Sequence, residues 1–216
     1  MLPEGIGVIP LCLDIRSGTK EEFTDAIRFY EPKVKELAEQ QVEAIMPDGS
    51  APFMLLGYDA ERALMKKWEK KFGIPMFTPG QNHARAMKAM KIRRAVNIAY
   101  TTWDDGNLVK AYYKDAGIDM VSRAVFPVPF QGVGQLSSKE VYGFIKKSFL
   151  KFKGLDGIYI QGGAWRMLDI IEPLEQDLGV PVVHPGPAKA WEVMRRLNVR
   201  QPIGGYGRLL SEMPDG

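Results

Sequence analysis

The sequence predicts an α/β fold of two similar lobes, each built on a parallel sheet. Two observations carry that prediction: strand and helix patterns alternate along the chain, and the chain repeats itself. Phe72-Gly73-Ile74-Pro75-Met76-Phe77-Thr78-Pro79-Gly80 matches Leu178-Gly179-Val180-Pro181-Val182-Val183-His184-Pro185-Gly186 at an offset of 106 positions. Each copy leads into a helical pattern. Glu43-Ala44-Ile45-Met46-Pro47-Asp48-Gly49-Ser50-Ala51 pairs with Asp156-Gly157-Ile158-Tyr159-Ile160-Gln161-Gly162-Gly163-Ala164 at an offset of 113. Two nearby offsets are what a duplicated βα unit leaves when its loops change by a few residues. Two such lobes enclose a cleft, the default place for a ligand.

The elements follow in order. Gly5–Pro10, Val42–Met46, Ile74–Phe77, Ala95–Ile98, Met120–Phe126, Gly157–Ile160 and Val180–Val183 read as strands. They are nearly continuous apolar runs, as strands covered on both faces should be. Between them, Phe23, Ile27, Tyr30, Val34 and Leu37 fall at helical spacing, with Pro32 expected to kink or restart that helix. Leu108, Ala111, Tyr112 and Ala116 behave likewise, as do Trp191, Met194 and Leu197. The β-α-β-α order implies parallel strands joined by right-handed crossovers. The Pro-rich stretch from Phe126 to Gly134 is either a plain connection or a loop over the cleft.

Composition narrows the class. A chain of 216 residues, 45% hydrophobic and 25% charged, can bury a substantial core. A net charge of +3 on scattered basic residues gives no reason to expect nucleic acid. No apolar run approaches a membrane span, and the start lacks the pattern of a secretion signal. The single cysteine, Cys12, forms no internal disulfide and suits a reducing cytoplasm. Phosphate-loop and dinucleotide motifs are absent, and two distant histidines with one cysteine suggest no metal site.

In open α/β sheets ligands bind where strands end and helices begin. Three such turns are rich in small and hydroxyl residues: Asp48-Gly49-Ser50, Gln161-Gly162-Gly163 and Tyr100-Thr101-Thr102-Trp103-Asp104-Asp105. Free backbone N–H groups at a helix start suit a carboxylate or phosphate. Each turn is also compatible with ordinary helix capping. Trp103, Trp165, Phe53 and Tyr159 near these turns would suit an aromatic substrate or simply fill core.

Gly179-Val180-Pro181-Val182-Val183 followed by Pro187-Ala188 and Trp191, the tail Gly205-Tyr206-Gly207-Arg208-Leu209-Leu210, and Asp104-Asp105-x-Asn107 form a set. With Arg93-Arg94 and Gly157-Ile158 leading to Gly162-Gly163 and Leu168-Asp169, they resemble the Asp/Glu racemase superfamily. Within it they resemble the arylmalonate decarboxylase and maleate isomerase branch. The resemblance implies two flavodoxin-like lobes with parallel four-stranded sheets about a pseudo-twofold axis, residues 1–94 with 197–216 and residues 95–196. The active site would lie between them. It implies small carboxylate substrates, an enolate-like intermediate, and neither cofactor nor metal. The family's second-lobe cysteine would fall at Gly162, and its first-lobe counterpart at Gly49 or Asp48. Thr102 would replace the family's tyrosine.

With both thiols missing, Asp48 and His184 are the candidate catalytic groups. Asp48 could act as acid or base if burial raises its pKa, and His184 could transfer protons near neutral pH. Gly49, Ser50, Thr101, Thr102, Gln161, Gly162 and Gly163 are the candidate carboxylate-binding residues. His83 reads as structural, and Arg208 with Tyr206 as a lock on the tail. Loss of carbon dioxide generates a carbanion without a base, so missing thiols harm a decarboxylase less than a racemase. The leading expectation is therefore a cofactor-independent decarboxylase or lyase. Isomerisation of a small dicarboxylate, cofactor-free hydrolysis or hydration, and non-catalytic carboxylate binding are the alternatives. A homo-oligomer is compatible with the sequence.

Overall fold

The computed structural model describes residues 1–13, 15–100 and 106–216. Four helices come first: α1 (Lys20–Glu39), α2 (Ser50–Met54), α3 (Tyr58–Phe72) and α4 (Pro79–Ala89). Then follow β1 (Arg94–Ala99), α5 (Asn107–Asp115), β2 (Asp119–Val125), α6 (Ser138–Phe149), β3 (Gly157–Ile160), α7 (Ile171–Leu178), β4 (Val182–Val183) and α8 (Pro185–Arg196). A short α9 (Arg208–Glu212) ends the chain's regular structure.

The expected α/β architecture holds, with a parallel four-stranded sheet in the order β2-β1-β3-β4. One face is packed by Met87, Tyr112, Tyr113, Trp191 and Leu210. The other is packed by Val141, Ile145, Ile171 and Leu174. Covering on both faces explains why these strands read as apolar runs. This strand order reverses direction between β1 and β3, and the crevice at their C-terminal ends is where doubly wound sheets bind ligands. Gln161–Gly163 leave β3 there.

The first half differs from the strand pattern read in the sequence. Gly5–Pro10 is not a strand. Val42–Met46 and Ile74–Phe77 contribute one parallel bridge, Ile45 with Met76. Prolines explain the brevity: Pro10, Pro47 and Pro75 have no N–H to add to a ladder. A core of Tyr30, Val34, Ile45, Phe53, Trp68 and Met76 holds this half together instead. Helix α1 also continues through Pro32 without a break. Pro32 lies on the exposed side, so the carbonyl it leaves unbonded can be hydrated while Phe23, Ala26, Tyr30 and Val34 keep one buried stripe.

The repeat is visible down to single hydrogen bonds. The Glu69 carboxylate accepts the Met76 N–H at 2.8 Å, and the Glu175 carboxylate accepts the Val182 N–H at 2.8 Å. Gly73 and Gly179 end α3 and α7 in the same left-handed conformation, at φ 70° in both. Helices α4 and α8, the helices of the two copies, pack on each other through Arg85, whose Nε and Nη2 reach the Glu192 carboxylate at 3.1 and 2.7 Å. Glu175 also accepts the Arg208 N–H at 2.7 Å, which ties the tail to the sheet. The lock on the tail is thus a backbone donor of Arg208, while its guanidinium pairs with Glu212 in its own helix. Replacing Glu175 with alanine would strand both N–H groups, and urea unfolding should show a loss of about 3 kcal/mol. The smaller effect should come from Glu175→Gln, which keeps one acceptor.

Candidate functional site

The first turn on the crevice is Gln161-Gly162-Gly163. Gln161 follows Tyr159 on the face of β3 that α4 and α8 cover, and it is 4% exposed with its Oε1 lacking a protein partner. Its N–H donates to Ile98 O at 2.7 Å, and its carbonyl accepts Trp165 Nε1 at 3.0 Å. Gly162 has φ 93°, and a Cβ there would lie 2.4 Å from the Tyr100 ring. No side chain fits at 162 unless Tyr100 moves, so the position that would hold the family thiol is filled by a tyrosine. Trp165, Phe53 and Tyr159 are core residues, each almost wholly buried.

Asp48-Gly49-Ser50 is built in a parallel way. Gly49 has φ 112°, and a Cβ there would lie 2.6 Å from Tyr30 Oη. The Tyr30 hydroxyl donates to Asp48 O at 2.5 Å. Gly49 N–H is already taken by Asp48 Oδ1 at 2.8 Å. Asp48 Oδ2 meets Lys189 Nζ of α8 at 2.5 Å, joining the two halves of the chain. The Asp48 side chain is 57% exposed, so the burial expected of a tuned acid is missing. Ser50 opens α2. Thr101 and Thr102, with Trp103, Asp104 and Asp105, lie outside the described residues.

His184 caps α8: its Nδ1 accepts the Gly186 N–H at 3.1 Å. The ring proton is thereby placed on Nε2, which is buried without a protein partner. Burial, then the charge of Lys189, push its pKa down to about 3. His184 therefore stays neutral at physiological pH and is a hydrogen-bond donor, where the sequence suggested a titrating proton shuttle. His83, the counterpart of Lys189 in the repeat, contacts Tyr159 Oη at 3.1 Å through Nδ1. Its pKa is also driven down to about 3 by burial, then by Lys189 and His184.

Around these residues buried polar atoms without protein partners gather: Thr78 Oγ1, both amide atoms of Asn82, His83 Nε2, Gln161 Oε1 and His184 Nε2. Thr78 and His184 are counterparts at the N-caps of α4 and α8. Folded interiors seldom leave such atoms unpaired, because each costs about 1–3 kcal/mol. Their placement at the starts of α4 and α8 and the end of β3 points to a site for a polar ligand. Lys189, Thr78 and Asn82 were missed in the sequence as site residues. No local sequence pattern marked them, because their placement follows from tertiary packing. Cys12 is free and exposed. Among the described residues no three His, Cys, Asp or Glu side chains are grouped to hold a metal ion. Nor is any helix there long and apolar enough to cross a membrane.

The fold is shared by solved arylmalonate decarboxylases and maleate isomerases. A liganded arylmalonate decarboxylase, solved with one glycine-to-cysteine and one cysteine-to-serine change, superposes with a TM-score of 0.83 at 21% identity, covering 90% of this chain and 83% of that one. Maleate cis-trans isomerase of Nocardia farcinica, bound to TRIS, gives a TM-score of 0.82 at 18% identity, covering 91% and 82%. At these identities the likeness carries the fold alone. In sequence, the arylmalonate decarboxylase of Bordetella bronchiseptica is 24% identical over 203 residues, 93% of this chain and 84% of that protein. The pattern of the arylmalonate decarboxylase family matches residues 1–210, and the chain belongs to that family.

Proposed function

We propose that the protein decarboxylates a small carboxylic acid through an enolate-like intermediate, without a catalytic thiol and without a cofactor, in the cleft between residues 1–94 with 197–216 and residues 95–196. The observation that carries this reading is the set of buried, uncharged, partnerless polar atoms of Thr78 and Asn82 at the start of α4, His184 at the start of α8 and Gln161 at the end of β3. Loss of carbon dioxide leaves charge on the remaining carboxylate, and fixed neutral donors such as His184 Nε2–H stabilise it as it develops. Asp48 holds Lys189, whose charge reaches both histidines and offsets the same developing charge. Final protonation then falls to the Lys189–Asp48 pair or to water. Ser50, Gly162, Gly163, Thr101 and Thr102 complete the proposed carboxylate cradle, to which Gly49 contributes its turn, its N–H being held by Asp48.

The isomerase reading is weaker for a specific reason. A variant of the Nocardia farcinica isomerase was solved with a covalently bound succinylcysteine. Here the one thiol, Cys12, lies on the exposed N-terminal segment. Purified protein should release carbon dioxide from phenylmalonate and leave maleate unchanged, both followed by proton NMR. Alkylating Cys12 with iodoacetamide should leave the rate within about twofold, since thiol reactivity matters only where the thiolate reaches substrate. Fumarate from maleate would favour the isomerase. Binding of phenylmalonate without turnover would favour a binding protein.

A further inference from the structure

Behind the first turn of α4, on the side of α3 and α5, lies a carboxyl that the proposed chemistry does not use. Glu61 of α3 is fully buried. Its Oε2 accepts the Tyr112 hydroxyl at 2.5 Å, and its Oε1 has no protein partner. Tyr112 Oη would lie 2.6 Å from a Cβ on Gly80, so the Glu61–Tyr112 pair is pressed against the first turn of α4 at its one glycine. Thr78, the N-cap of that turn, is fully buried, and its hydroxyl neither caps the helix nor meets another partner. It is nevertheless close enough to Glu61 to favour the ionised carboxylate. Glu61 and Thr78 therefore each leave one buried polar atom, Oε1 and Oγ1, without a hydrogen bond at an uncapped helix start. The equivalent turn of α8 is arranged differently, since His184 caps it with its own ring.

We propose that Glu61 is a positioning residue that sets the Thr78 hydroxyl, and that a carboxylate bound at the start of α4 is accompanied by proton uptake at Glu61. The proton inventory is simple. With Glu61 ionised, the Thr78 O–H turns toward Oε1 and is spent on it. With Glu61 protonated, the carboxyl O–H donates to Thr78 Oγ1, and the Thr78 proton is free to donate to the bound anion. The proton comes from solvent or buffer and forms the Glu61 O–H bond, and no bond of the bound carboxylate changes. A bound anion also repels an ionised Glu61, which drives the equilibrium the same way. The groups facing Glu61 are Tyr112 and Tyr113 of α5 and Arg85 and Thr78 of α4; α2 contributes no titratable group. Both tyrosines stay neutral because burial raises their pKa values. Arg85 is engaged by Glu192. Burial pushes Glu61 itself up to about 7, so both of its forms are populated near neutral pH.

The carboxylate half of this proposal rests on the function proposed above, so the test has an arm without ligand. In protein carrying carbon-13 at glutamate carboxyls, Glu61 should titrate near neutrality. Thr78→Val should raise its midpoint by about half a unit or more by removing a donor to the ionised form, and Thr78→Ser should restore it. With phenylmalonate as probe, calorimetry at pH 7 in buffers of different ionisation enthalpy should show uptake of about half a proton. Glu61→Gln should bind phenylmalonate with no uptake, and with an affinity that no longer falls between pH 6 and 8. An unmoved midpoint in Thr78→Val, or uptake that survives in Glu61→Gln, overturns the proposal. Failure of phenylmalonate to bind while the midpoint still shifts overturns the carboxylate half and supports the Glu61–Thr78 coupling.

Discussion

Replacing His184 with alanine is expected to lower turnover of an arylmalonate by about a hundredfold to a thousandfold, with KM changed by less than about tenfold. The imidazole is held neutral by burial, and its Nδ1 is fixed by the Gly186 N–H, so Nε2–H is the only donor it can offer. A neutral, pre-oriented donor acts most strongly where charge appears during the reaction, and that places the loss in kcat. Alanine also removes the cap of α8, which costs about 1 kcal/mol of stability and is checked by thermal melting. Asp48→Asn tests the other candidate. It keeps an acceptor for Gly49 N–H but removes the charge facing Lys189. Asp48 adjoins the empty thiol position, which favours it on sequence alone. Its exposure in the structure transfers that weight to His184. If His184→Ala keeps full turnover while Asp48→Asn loses it, proton transfer by the carboxylate governs the reaction and the donor role given to His184 is wrong.

What could be read from sequence followed from period and repetition. Strands β1, β2 and β3 were legible because they are covered on both faces and need apolar residues throughout. The repeat was legible because the turns after α3 and α7 both require glycine in the left-handed region, at Gly73 and Gly179. The first half was read as too sheet-like, since an apolar run with prolines at 10, 47 and 75 resembles a strand in hydropathy while lacking the donors to pair as one. Within the site, the turn glycines stood out, but their reasons did not. Gly49 and Gly162 each lie against a tyrosine, Tyr30 and Tyr100, that is distant in sequence. Lys189 looked like any exposed helical lysine because its partner, Asp48, is 141 positions away. Glu61 looked like an ordinary acidic residue in a helix's first turn. Its burial depends on Tyr112 and α4, which no local pattern reveals.

Acid should unfold this protein earlier than its carboxylates alone would suggest, and His83 and His184 are the reason. Both have folded pKa values lowered from 6.5 to about 3, chiefly by burial. The sign follows from proton binding. Below pH 6.5 the unfolded chain takes up protons on both rings while the folded chain refuses them, so unfolding gains free energy as pH falls toward 3. Relative to neutral pH, proton uptake by each unfolded ring costs the fold on the order of 4 kcal/mol by the time the pH reaches about 3. Thermal melting from pH 7 to 4.5 should show a steep fall. His184→Asn keeps an acceptor for Gly186 N–H and removes one titrating ring, so it should reduce that fall by about half while lowering the neutral-pH melting temperature only slightly. Glu61 acts in the opposite sense. Its folded pKa is raised, so its stabilising contribution is complete below 4.5 and lost as pH rises through about 7. Glu61→Gln should accordingly flatten the neutral side of the profile and leave the acid side steep. A His184→Asn variant that melts with the same acid dependence as the parent would show that the ring is hydrated in solution and free to take its proton. In that event the neutral-donor role for His184 fails along with the stability argument.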